Sequence, residues 1–326
     1  MSEPPILEVA DLRKLFPVGR VRLWNARARY VYAVDDVSFQ LGRGEVLALV
    51  GESGCGKSTL ALTLMGLEKP TAGRLIFEGQ DVTHVEGREL KQMRRHIQMI
   101  FQDPYESLSP LMTIGQIVAE PLMVHGLARD KGEQARRVRQ AVEDAGLKPA
   151  EAYLNRLPHE LSGGQRQRVV IASALVLEPA VLLADEPVSM LDVSIRAEIL
   201  NLLADLRARR GISILFITHD LATAAYFTDR VAVMYLGRIV EIGPTRDVLA
   251  APAHPYTQAL LSVIPVPNPR QRRERIILQG DPPNPIDLPP GCRFHPRCPR
   301  AESICREQDP RLQQLSDGHQ AACLLL

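Results

Sequence analysis

The stretch Gly51-Glu52-Ser53-Gly54-Cys55-Gly56-Lys57-Ser58 constrains this chain more than any other. It satisfies the spacing G-x-x-x-x-G-K-[ST] between an apolar run at residues 46–50 and a helical pattern at residues 58–67. A strand feeding such a loop into a helix is the context in which this pattern cradles phosphate. Its glycines let the backbone curl until successive N–H groups face phosphate oxygens, and the helix start adds partial positive charge. Gly51 through Ser58, with Thr59 behind them, are therefore the candidate nucleotide-binding residues. Lys57 is expected to reach the β- and γ-phosphates and the Ser58 hydroxyl to ligate Mg²⁺. Cys55 reads as a small filler of the loop.

Apolar runs alternate with helical patterns from Ile6 to about Gly243, which predicts an α/β fold with a mostly parallel sheet. Residues 45–50, 97–101, 181–184 and 213–218 read as buried strands, and residues 113–177 as an inserted helical lobe. A hairpin is expected about Leu236-Gly237, and a short helix over residues 255–263. Beyond it, Pro265, Pro267, Pro269, Pro282, Pro283, Pro285, Pro289 and Pro290 exclude long helices and central strands. This proline-rich tail also carries four of the five cysteines, so it reads as a separate appendage. The longest apolar stretch, residues 169–177, falls far short of the roughly 20 residues a spanning helix needs. The start of the chain lacks a signal peptide's basic and apolar regions. A cytosolic chain is expected, attached to a membrane only through partners, with its cysteines as thiols or metal ligands. Net charge is +1, which gives nucleic acid no electrostatic claim as a partner.

Two acids close the apolar run at residues 181–184, in Asp185-Glu186-Pro187. Carboxylates at a strand's C-terminal end stand where α/β sheets bind ligands. Asp185 is the candidate Mg²⁺ holder and Glu186 the residue that polarises the attacking water. His219, after the apolar run at residues 213–218, is a third polar group at a strand end and a candidate γ-phosphate contact.

Leu161-Ser162-Gly163-Gly164-Gln165 precedes a helical run at residues 166–177 and makes a second anion-binding helix start. One nucleotide does not need two cradles in one subunit. The combination resembles the ABC ATPase family, whose signature motif is LSGGQ. That resemblance implies an ABC cassette of the P-loop NTPase type: a RecA-like core with an antiparallel β subdomain and an inserted helical lobe. It further implies that Ser162 and Gly164 contact the γ-phosphate of ATP held by a facing subunit. Gln102, in Phe101-Gln102-Asp103-Pro104, corresponds to the Q-loop glutamine that senses Mg²⁺ and the attacking water. Ser189-Met190-Leu191-Asp192 matches the D-loop, with Met190 where alanine is usual. Phe16 occupies the adenine-stacking position, with Trp24, Tyr30 and Tyr32 as alternatives.

Cys292, Cys298, Cys305 and Cys323 give C-x₅-C-x₆-C-x₁₇-C, which fits neither the usual zinc pairs nor bacterial ferredoxin spacing. With the surrounding Gly291-Cys292-Arg293-Phe294-His295-Pro296-Arg297-Cys298-Pro299, the tail resembles the C-terminal extension of oligopeptide/dipeptide importer ATPases. The resemblance covers the whole chain: an ATPase domain over residues 1–255 and an extension over residues 256–326. It implies a structural [4Fe–4S] cluster on the four cysteines, with Zn²⁺ or unligated thiols as alternatives and His295 as a loop residue. It also implies two transmembrane permease subunits, a second ABC ATPase subunit (a paralogue), an extracytoplasmic peptide-binding protein, and a place on the cytoplasmic face of the membrane. Nickel and glutathione are the alternative cargoes. A soluble ABC ATPase acting on DNA or ribosomes is the rival class. It would carry two cassettes or a long coiled coil, and this chain has one cassette and no sustained heptads.

Overall fold

The computed structural model describes residues 4–19, 29–264 and 275–326. Trp24 and the prolines at 265, 267 and 269 lie outside the described residues. The chain divides into two compact units that interleave in sequence. One holds Leu7–Leu41, Val46–Thr83 and Thr218–Leu326; the other holds Met1–Ile6, Gly42–Glu45 and His84–Ile217.

In the first unit, β1 (Leu7–Val18) and β2 (Arg29–Leu41) form a long antiparallel pair, with Leu7 opposite Leu41 and Val18 opposite Arg29. The buried strand β3 (Val46–Val50) is apolar at every position, as a parallel strand covered on both faces must be. β4 (Ala72–Phe77) pairs with the other edge of β1, and β5 (Gln80–Asp81) completes an antiparallel sheet in the order β2-β1-β4-β5. This is the antiparallel subdomain the sequence implied.

The second unit carries three parallel strands, β6 (Ile97–Ile100), β7 (Val181–Asp185) and β8 (Ser213–Thr218), with β7 in the middle. Between β6 and β7 stand the helices of the lobe, chiefly Ile114–His125, Lys131–Asp144 and Gly163–Leu175. Their starts are set locally. Thr113 and Gln116 form a capping box on the first, and Asp130 accepts the Glu133 N–H on the second.

The chain then returns to the first unit. β9 (Arg230–Tyr235) runs parallel to β3, and β10 (Arg238–Pro244) turns back antiparallel to it. Leu236 and Gly237 have φ of 42° and 79°, so both residues of the turn are left-handed, as a type I′ hairpin requires.

The proline-rich tail is not a free appendage. Its two short strands, β11 (Gln313–Ser316) and β12 (His319–Ala321), extend the sheet: β12 pairs with β10, setting Ala321 opposite Glu241. Phe294 is buried with its ring 5.2 Å from that of Tyr235, 5.5 Å from Tyr256 and 5.4 Å from His254. Burying such a side chain contributes about 1.5–3 kcal/mol. Burial alone would raise the Asp35 carboxyl, but the guanidinium groups of Arg293, Arg238 and Arg13 hold it below the usual carboxylate range. Glu241, fully buried, accepts the N–H groups of Ala253 and His254 and lies 2.8 Å from His319 Nε2. The tail is thus fixed by one aromatic cluster and two buried acids.

His254 starts the helix Pro255–Ser262, where its Nδ1 accepts the Tyr256 N–H at 3.1 Å. Burial pushes its pKa down to about 3. The unfolded chain takes up this proton near pH 6.5, whereas the folded chain does not. Stability is therefore complete above about pH 6.5 and falls as pH drops from there toward 3, by up to about 1.4 kcal/mol per unit. His254→Asn keeps a side-chain acceptor at the helix start and removes the titration. Thermal melts at pH 7.5 and 5 should show a larger acid loss in the wild type than in the variant; equal losses contradict this assignment.

Candidate functional site

The phosphate-loop residues belong to the first unit. Gly51 and Gly56 are glycines because the loop lies directly on neighbouring backbone. A Cβ on Gly51 would stand 2.2 Å from the Met234 carbonyl oxygen, and one on Gly56 2.0 Å from that of Ala33. Gly56 also has φ of 111°, where a side chain would be strained, and begins the helix Lys57–Leu64. Lys57 is buried, with its ammonium donating to the carbonyls of Gly51 at 2.8 Å and Glu52 at 2.9 Å. Ser53, Gly54 and Ser58 are exposed, and Thr59 is half-buried. Burial pushes the Cys55 thiol up, so it stays protonated and unreactive.

Two residues that no sequence argument assigned to the nucleotide site also touch the loop. The Glu52 N–H donates to Tyr256 Oη at 2.9 Å, and the Glu52 carboxylate takes two bonds from Arg297, at 2.8 and 3.1 Å. A sequence signal for Arg297 is the acid inside a phosphate-binding loop, which calls for a counter-charge somewhere in the chain.

His219, also of this unit, stands exposed after β8, where Asp220 caps the helix Leu221–Phe227 through the Ala222 N–H. Phe16 lies in β1 opposite Val31, with the Lys14 ammonium 4.6 Å from its ring centroid. Tyr30 and Tyr32 occupy β2, opposite Pro17 and Leu15.

The second unit brings the acids together with the glutamine. Asp185 is the buried last residue of β7. Glu186 follows with φ of 45°, a left-handed conformation that costs a non-glycine residue of order 1 kcal/mol or more. Its backbone is held there: the N–H donates to the Ile217 carbonyl at 2.9 Å, and its carbonyl accepts the Ser189 hydroxyl at 3.0 Å. Gln102 Nε2 lies 3.3 Å from Glu186 Oε2. Leu191 is buried and its carbonyl accepts Arg196 Nε at 2.7 Å, while Asp192 begins the helix Val193–Arg210. Met190, at the usual alanine position, is exposed.

In the same unit, Ser162 and Gln165 form a capping box. The Ser162 Oγ accepts the Gln165 N–H at 3.3 Å, and the Gln165 Oε1 accepts the Ser162 N–H at 3.0 Å. The helix therefore starts at Gly163, earlier than its apolar pattern suggested. Leu161 is buried. A Cβ on Gly164 would meet Ile195 Cγ2 at 2.6 Å, so only glycine lets this helix start approach its neighbour.

Cys292, Cys298, Cys305 and Cys323 are free thiols. Burial pushes Cys292 up to about 11 and raises Cys298, and the neighbouring cysteines push both further in the same direction: Cys305 and Cys298 act on Cys292, and Cys323 and Cys305 on Cys298. Among the described residues no group of three or more His, Cys, Asp or Glu side chains is placed to hold a metal ion, so the structure supports neither the [4Fe–4S] cluster nor the alternative Zn²⁺ site that the resemblance implied. No helix among the described residues is long and apolar enough to cross a membrane.

Comparison with known families decides the assignment. The family model described as ABC transporter matches residues 34–189, and the one described as oligopeptide/dipeptide transporter, C-terminal region, matches residues 240–305. The oligopeptide transport ATP-binding protein AppF of Bacillus subtilis is 46% identical over 99% of this chain and 98% of its own length. The chain belongs to the ABC transporter family. The dipeptide transport ATP-binding protein DppF of Haemophilus influenzae is 48% identical to this ABC subunit, over 98% of the chain and 96% of its own length. A putative peptide import ATP-binding protein of Brucella ovis is 49% identical over 99% of both. Among solved structures, the dimeric ATP-binding cassette MJ0796 with ADP and Pi matches 74% of this subunit and 99% of its own chain, with 30% identity and a TM-score of 0.65. The subunit is an ATPase with the ABC cassette fold.

Proposed function

We propose that this ABC subunit powers import of oligopeptides or dipeptides, on the cytoplasmic face of a membrane that it does not itself cross. The supporting observation is the pair of prepared helix starts: one at Lys57, behind a loop shaped by backbone contact, and one at Gly163, fixed by its capping box. Each presents N–H groups and a positive dipole end to an anion. In the proposed cycle, Gly51 to Thr59 hold the phosphates of ATP and Phe16 stacks on adenine. Lys57 exchanges the carbonyls of Gly51 and Glu52 for phosphate oxygens. Ser58, Asp185 and Gln102 offer the hard oxygen donors that suit Mg²⁺, which neutralises phosphate charge when bound. Glu186, with Gln102 against its carboxylate, orients the attacking water, and His219 contacts the γ-phosphate. Ser162 and Gly164, within Leu161 to Gln165, receive the γ-phosphate carried by a facing subunit, with Ser189, Leu191 and Asp192 beside it. Closure of such a pair drives two permease subunits, and hydrolysis reopens it.

Peptide cargo rests on the matched C-terminal region and on the names of the relatives, whereas an extracytoplasmic binding protein and a paralogous ATPase partner rest on the resemblance to oligopeptide/dipeptide importer ATPases alone. A [4Fe–4S] cluster on Cys292, Cys298, Cys305 and Cys323 rests only on the resemblance of this cysteine-rich tail to the extension of oligopeptide/dipeptide importer ATPases. Such a cluster would cross-link the extension.

The chain reconstituted with its permease and binding protein should accumulate labelled peptide on addition of Mg-ATP. Glu186→Gln should keep ATP binding and lose hydrolysis by about 10²–10⁴-fold. Equal hydrolysis by the two contradicts the role of Glu186, and uptake of nickel or glutathione in place of peptide contradicts the cargo. Anaerobically purified protein should show iron–sulfur absorbance that Cys298→Ser abolishes; a colourless wild type contradicts the cluster.

A further inference from the structure

Glu52 is electrostatically misplaced. It follows Gly51 in a loop that must accept a polyanion, and a carboxylate there repels what the loop binds. The structure shows what offsets it. Arg297, from the C-terminal extension, forms a two-pronged ion pair with Glu52: Nη1 to Oε2 at 2.8 Å and Nη2 to Oε1 at 3.1 Å. This fork geometry is the strongest arrangement an arginine makes with a carboxylate. The pair is also sheltered, since the Arg297 side chain is only 7% exposed and that of Glu52 29%. The guanidinium lies 5.9 Å from the Tyr235 ring centroid.

Arg297 is itself held in place. Its N–H donates to the Phe294 carbonyl at 3.0 Å, and Phe294 is buried among Tyr235, Tyr256 and His254. Tyr256 Oη in turn accepts the Glu52 N–H, while the Lys57 ammonium donates to the Glu52 carbonyl. Glu52 is therefore fixed at its amide, its carbonyl and its carboxylate, two of these from residues 256–326.

We propose that Arg297 is a positioning residue of the ATP site: it neutralises and anchors Glu52, so that the phosphate loop binds ATP with full affinity only with the C-terminal extension docked. The extension then acts on nucleotide affinity through one side chain, independently of anything its cysteines hold. The inference rests on ATP binding at this loop and not on the identity of the cargo.

The test uses the full-length chain in its assembled transporter, and reads KM and kcat for Mg-ATP along with direct binding of a non-hydrolysable ATP analogue. Arg297→Ala should raise KM and the analogue's Kd about tenfold, with kcat changed less than about twofold, because it leaves the Glu52 carboxylate unpaired beside the phosphates. Adding Glu52→Gln to Arg297→Ala should recover most of that loss, and higher salt should shrink it. A merely structural arginine predicts the opposite: fewer folded molecules, a lower kcat, and no recovery from the second change. Should circular dichroism show Arg297→Ala unfolded, Arg297→Gln, which keeps a donor without the charge, carries the same comparison. An unchanged KM in the folded variant, or a double variant no better than the single one, overturns the proposal. A wild type that binds no ATP overturns this inference together with the ATPase assignment, whereas an active wild type with an unaffected variant overturns this inference alone.

Discussion

The phosphate loop keeps its shape because it is pressed against two backbone carbonyls, those of Met234 and Ala33, at a distance that admits no side chain on Gly51 or Gly56. One of these carbonyls closes β9, and the hairpin turn that follows reaches the same loop. The Gly237 N–H donates to the Cys55 carbonyl at 2.8 Å, and the Gly237 carbonyl accepts the Asp35 N–H at 2.9 Å. Arg293 donates to the Leu236 carbonyl at 2.6 Å and pairs with Asp35. A left-handed two-residue turn thus ties the loop and the antiparallel subdomain together through backbone bonds and reaches the C-terminal extension through the Arg293 side chain. Backbone contacts of this kind are insensitive to side-chain identity except where a side chain would not fit, which is why the glycines are the residues that matter.

Much of this was legible beforehand, for identifiable reasons. β3 and β7 are continuous apolar runs with a motif at their ends, so their positions followed from burial and spacing together. The Leu236-Gly237 hairpin was legible because a residue pair between two β-rich runs leaves few turn geometries open. The start of the signature helix was harder to place. Gly163 and Gly164 lower helix propensity, and only the side-chain exchange between Ser162 and Gln165 offsets that cost.

What the sequence concealed is the docking of the tail. Its prolines forbid long elements, but they do not forbid two short edge strands or one buried phenylalanine. β12 spans three residues, too few for any period to register, and its partner β10 lies about eighty positions earlier in the chain. The same distance hid Arg297 and Tyr256, whose partner Glu52 stands more than two hundred positions away. Local pattern carries no information on such pairs. Only an unexplained charge hinted at one of them.

The central claim is that the helix start at Lys57 and the helix start at Gly163 grip the same kind of anion from opposite subunits. Amide hydrogen exchange on the assembled transporter carrying Glu186→Gln, with and without saturating Mg-ATP, tests it most directly. The account predicts slower exchange at residues 52–58 and also at residues 163–165, with the second protection lost when the facing subunit's phosphate loop is disabled. Protection at residues 52–58 alone, with residues 163–165 exchanging equally in both conditions, would contradict it.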